Sequence, residues 1–151
     1  MNKASKPEVV PTLTKHEAHI RALVERQARA WERNNFALAA GDWLPEGVLI
    51  APAGEWPADR LGQAMAELHA DFTDLIVEIK NVFASADGGK VAIEWDWSIT
   101  RKADGVRSRT PDAIIVDLVD GKIKSWREYF DLSGSVEAVS QKKSAHSDGK
   151  L

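Results

Sequence analysis

"VDGKIKSWREYFDL", residues 119–132, is the stretch whose reading decides the fold. Asp120 and Gly121 form the pair that a tight two-residue hairpin turn favours, and the residues after them alternate in the manner of a strand. On such a strand Arg127, Tyr129 and Asp131 share one face, and Trp126, Glu128 and Phe130 share the other. A strand that only filled a core would not carry an arginine, a glutamate, a tyrosine and an aspartate here. The stretch therefore predicts a strand between two different environments.

Upstream of this ending the period stays at two. "LIVEIKNVFAS" (75–85), "VAIEWDWSIT" (91–100) and "SRTPDAIIVDLV" (108–119) read as strands separated by turns at "ADGGK" and "KADG". Further back the period becomes helical. Thr14 and Glu17 make a capping box, and Ile20, Leu23, Val24, Ala28 and Trp31 recur at helical spacing until Asn34 and Asn35. "FALAAGDW" (36–43) predicts a second short helix stopped by Gly41 and Pro45, and "GVLIAP" (47–52) a strand. A third helix over about 59–72 places Leu61, Met65, Leu68 and Phe72 on one face, with His69 at its margin. Helices followed by an antiparallel meander give an α+β fold: a strongly curved, cone-shaped antiparallel sheet covered by about three N-terminal helices, with a cavity at its open end. Residues 1–13 and 141–151 are polar and aperiodic and are expected to be mobile tails around a single domain over 14–140.

Composition narrows the function. Twenty basic and 23 acidic residues, spread without a basic stripe, argue against nucleic acid. The absence of cysteine excludes thiolate nucleophiles, disulfides and cysteine zinc sites, and suits a reducing cytoplasm. No segment approaches the ~20 apolar residues of a membrane span, so no membrane partner is expected. Six tryptophans stand out, and those that line a cavity would favour a flat apolar ligand. His16 and His19 lie one helical turn apart with no third ligand at metal spacing, so neither a metal nor another cofactor is expected.

The element order, "GQAMAELHADFTDL" (62–75) and above all the 119–132 ending resemble the SnoaL-like branch of the nuclear transport factor two-like superfamily. That branch includes polyketide cyclases, ketosteroid isomerases and limonene-epoxide hydrolases, and the resemblance spans about residues 15–140. It implies a pocket for a small apolar, cyclic metabolite and cofactor-free acid–base chemistry such as isomerisation, cyclisation or dehydration. The aspartate ending the last strand of the epoxide hydrolases matches Asp131. Their Arg-x-Asp pair falls on Trp95 and Trp97, which argues against their mechanism. The base that ketosteroid isomerases carry on the first strand falls near Ala51, and their second carboxylic acid is loosely matched by Asp112.

In the register that the resemblance implies, Arg127, Tyr129 and Asp131 face the cavity, with Asp131 as the working acid and Tyr129 or Asp112 orienting or donating. Otherwise Asp131 caps the segment that follows or pairs with an arginine. Trp95 and Trp97 would form a stacking wall opposite Glu94 and Asp96, which face solvent or a second subunit. Trp31 is expected to be shared between core and pocket, and Trp56 to sit on a loop at the mouth. His69 is either a proton donor at that mouth or a satisfied helix residue. The rival to an enzyme is a ligand-binding module without catalysis, and a homodimer through the sheet is compatible with both.

Overall fold

The computed structural model describes residues 14–132; the two expected tails and the end of the domain at 140 lie outside the described residues. Helix α1 (Lys15–Arg33) opens on the Thr14–Glu17 capping box and closes at Asn34, whose φ of 51° is left-handed. Strands β1 (Trp43–Ala51) and β2 (Gly54–Pro57) form a hairpin, helix α2 (Leu61–Asp71) follows, and strands β3 (Phe72–Ala84), β4 (Lys90–Arg101), β5 (Arg107–Val119) and β6 (Lys122–Tyr129) complete the chain. The sheet has six strands in the order β2-β1-β6-β5-β4-β3. The α+β expectation holds, with three corrections.

The sheet is mixed, because β1 runs parallel to β6 while every other neighbouring pair is antiparallel. Gly47 permits the close approach of these two strands: a Cβ there would lie 2.8 Å from the Ile123 carbonyl oxygen. The described residues hold two α-helices rather than three. "FALAAGDW" folds as two single 3-10 turns (Phe36–Leu38 and Ala40–Asp42). They are pinned to α1 by side chains, with the Arg26 guanidinium donating twice to Asp42 and Gln27 donating to both Asp42 and the Ala39 carbonyl. Finally, "GEWP" is the strand β2 and not a loop, and it carries Trp56 opposite Leu49.

One face of the sheet receives the helices. Ile20, Leu23, Val24 and Ala28 of α1 share a core with Ile93 and Trp95 of β4, Ile114 and Val116 of β5, and Trp126 of β6. Trp126 is 1 % exposed and packs on Trp95 at 5.6 Å and Trp43 at 6.3 Å between ring centroids. Truncating such a buried aromatic costs about 3–5 kcal/mol. Breaks in pairing register bend the strands: β3 shifts between Thr73 and Ile76 and again between Ile79 and Asn81, and β6 shifts at Lys124.

Candidate functional site

Strand register determines what reaches the space between sheet and helices. On β4, Ile93, Trp95 and Trp97 alternate with Glu94 and Asp96, and the buried Ile93 and Trp95 place the first set inward. Asp112 lies directly across from Trp95, and Glu128 directly across from the fully buried Ile114, so both carboxylates point to the same inner face. They sit diagonally on adjacent strands. Around them is a cavity of about 300 Å³, walled by Trp31, Trp56, Trp95, Trp97, Phe130 and aliphatic side chains, with Glu67 of α2 as its remaining ionisable residue. The volume lies at the small end for a ligand pocket.

Asp112 is 4 % exposed, and its two oxygens differ. Oδ2 accepts the Trp95 indole N–H at 3.3 Å, while Oδ1 is buried with no hydrogen-bond partner. Burial first, and the Glu128 charge second, push the Asp112 carboxyl up to about 8, against the pull of the Trp95 N–H and, more weakly, of the Tyr129 backbone N–H and the Trp97 N–H. Burial also pushes Glu128 up to about 7, opposed by the Trp126 indole N–H, which donates to Oε1 at 2.9 Å. Two carboxyls in one apolar site cannot both ionise easily. The pair therefore holds one proton between them over the range in which it titrates. Because Oδ2 already accepts from Trp95, the Asp112 proton belongs on Oδ1, the oxygen that lacks a partner.

The inward set on β6 is the reverse of the expected one. Asp117 pairs with Ser125 and Leu118 with Ile123, so Lys124 is an extra residue and the strand's parity changes there. Ile123 and Trp126 consequently both point inward, at an odd spacing, and Glu128 and Phe130 follow Trp126 into the cavity. Arg127 lies on the outer face, donating to Asp117, whose carboxyl is held well below the usual range by Lys90, Arg127 and Ser125. Tyr129 is 59 % exposed on that face, and Asp131 is exposed beyond the end of the strand. None of the three lines the cavity.

His69 is also elsewhere: its Nε2 meets the Trp31 carbonyl oxygen at 2.6 Å and fastens α2 to α1. Trp31, Trp56, Trp95, Trp97 and Asp112 do line the cavity, as does Ala51. Asp96 faces outward between Arg109 and Lys80, and Glu94 accepts from Asn81. His19 contacts the Gly121 carbonyl oxygen at 2.8 Å, in the turn before β6. Glu128 is the functional candidate that sequence reading missed. The apolar–acid–apolar pattern of Trp126, Glu128 and Phe130 was the available signal, since two large rings claim the inner face and carry the acid between them.

A family model described as SnoaL-like domain matches residues 24–126. Among solved structures, the chain is similar to an LEH-like epoxide hydrolase from M. tuberculosis (16 % identity, TM-score 0.68, covering 88 % of this chain and 98 % of that one). It is similar to a candidate polyketide cyclase from Xanthomonas campestris pv. campestris (15 % identity, TM-score 0.70, 79 % and 95 %). A hypothetical protein with a ketosteroid isomerase-like fold from Catenulispora acidiphila, solved in complex with trimethylamine, is similar as well (19 % identity, TM-score 0.68, 76 % and 88 %). At these identities the likeness is one of fold. No curated protein matches the chain in sequence.

Proposed function

The chain belongs to the SnoaL-like family, and we propose that it performs acid–base chemistry on a small, apolar, ring-bearing metabolite using the carboxyl pair Asp112 and Glu128. The observation that carries this reading is Oδ1 of Asp112, a buried carboxyl oxygen without a hydrogen bond of ordinary geometry on the wall of a largely aromatic and aliphatic cavity that also holds Glu128. Such a group is costly unless a ligand completes it. Glu128, oriented by the Trp126 N–H, would in its ionised form take a proton from a carbon beside a carbonyl. Asp112, still protonated, would donate from Oδ1 to the oxygen on which negative charge develops. Return of the proton to another carbon gives an isomer, and loss of a neighbouring hydroxyl gives a dehydrated product. Neither outcome needs a group beyond the two carboxyls.

The same pocket without turnover would be a binding module, and one experiment separates the two. The protein is incubated in heavy water with a panel of small cyclic ketones and hydroxyketones, and proton NMR follows deuterium uptake at the carbon beside the carbonyl. Catalysed exchange that Asp112→Asn slows by two to four orders of magnitude supports the enzyme. Ligand-induced shifts without exchange favour the module. The reading includes work in the cytoplasm, which a cysteine-free composition suits. Among the described residues no helix is long and apolar enough to cross a membrane.

A further inference from the structure

The cavity carries a charge pattern that a neutral ring compound leaves unused. Its ionisable side chains are all acidic: Asp112 from β5, Glu128 from β6 and Glu67 from α2. Strands β1 to β4 and helix α1 contribute only uncharged residues, and among the described residues no lysine, arginine or histidine lines it. Two arginines of the sheet are committed to its outer face, Arg127 to Asp117 and Arg109 to Asp96. A carboxylate formed inside therefore has indole N–H donors but no counter-charge. Most of the rest of the wall is aromatic, with Trp31, Trp56, Trp95 and Trp97 from three different elements and Phe130 set edge-on to Trp97 at 5.5 Å. Because the Trp95 N–H is committed to Asp112, that side chain offers the cavity its ring carbons. Indole rings attract cations through their electron-rich faces, most strongly when water is excluded.

We propose that the pocket selects an organic cation, a ring-bearing protonated or quaternary amine, with the carboxyl pair as its counter-charge and the tryptophans as its cage. The proposal rests on the acid–base reading of the same site and names the substrate class. An anionic substrate is disfavoured by the same lining, since it would bury a second negative charge beside Glu128.

Phenyltrimethylammonium and tert-butylbenzene test this, because they match in shape and differ in charge, and neither titrates. In tryptophan fluorescence titrations at pH 8 and pH 5.5 any pH dependence therefore comes from the protein and not from the probes, and the variant below assigns it to the carboxyl pair. The expected result is at least tenfold tighter binding of the cation at pH 8, a preference that shrinks at pH 5.5, where both carboxyls hold their protons. Asp112→Asn/Glu128→Gln should abolish the preference while tert-butylbenzene still binds, which also shows that the variant is folded. Equal or tighter binding of tert-butylbenzene at pH 8 overturns the cation class and leaves the apolar acid–base pocket standing. If neither probe binds, both readings fall.

Discussion

Trp95 donates its indole N–H to Asp112 directly across the β4–β5 ladder, at 3.3 Å, and so fixes which oxygen of that carboxyl remains for a ligand. The arrangement makes Asp112→Asn informative. The amide keeps the shape and can still accept from Trp95, yet it cannot release a proton. Activity should fall about two to four orders of magnitude with little change in ligand affinity, read as kcat against KM.

Stability should depend on pH with a definite sign. Both Asp112 and Glu128 have folded values raised above the ordinary carboxylate range, to about 8 and about 7, so the folded state binds more protons than the unfolded chain between roughly pH 4 and those values. The contribution of these two groups to stability is fully present below that window and is lost as pH rises through it, by at most about 1.4 kcal/mol per pH unit for each group. Urea denaturation from pH 5 to 8.5 should show the decline, and Glu128→Gln should flatten it. A flat wild-type profile would mean that the two acids ionise normally.

Trp97 lines the cavity half-buried and forms its edge contact with Phe130, so Trp97→Ala should leave the protein folded. Loss of one aromatic contact should weaken a planar ligand by about 1 kcal/mol, or several-fold, in a fluorescence titration. A large drop in melting temperature with unchanged affinity would assign the residue to the core instead.

Asp131→Asn and Tyr129→Phe should turn substrate over at the wild-type rate, because both residues are exposed outside the cavity. A loss beyond tenfold in either variant would contradict the inner face described for β6.

On the outer face of the sheet Ile76, Phe83 and Tyr129 are 54 %, 59 % and 59 % exposed. Exposed apolar side chains on a strand-built surface suit a second copy of the chain. Sedimentation should give a dimer mass at micromolar concentration, and Phe83→Lys should shift it toward the monomer without unfolding. A wild-type monomer mass rules out this face as an interface.

The elements were legible wherever one local rule governed. The Thr14–Glu17 box set the start of α1, and the Asp120–Gly121 pair, with positive φ at both residues, set the last hairpin. That Trp95 and Trp97 share a face followed from simple alternation, because β4 keeps one parity along that stretch, while the resemblance supplied the side on which that face lies. What escaped was non-local. The extra residue Lys124 is set by pairing with β5, and it alone decides whether Arg127 or Glu128 enters the cavity. Counting by twos from Ile123 gives the wrong face from Ser125 onward. Likewise "GEWP" becomes a strand only because β1 is there to pair with it.

The parallel contact between β1 and β6 also bears on how the molecule is made. Trp43 stands beside Ile123, and the strand that completes the sheet is the last of the described strands to leave the ribosome. Until it arrives, β1 and β5 present open backbone edges to each other's future partner and to any other nascent chain. The growing polypeptide therefore cannot close its pocket by stages. A chain arrested before residue 122 should be captured by chaperones or aggregate, and the finished one should fold slowly for its size, since its decisive pairing joins strands far apart in the sequence.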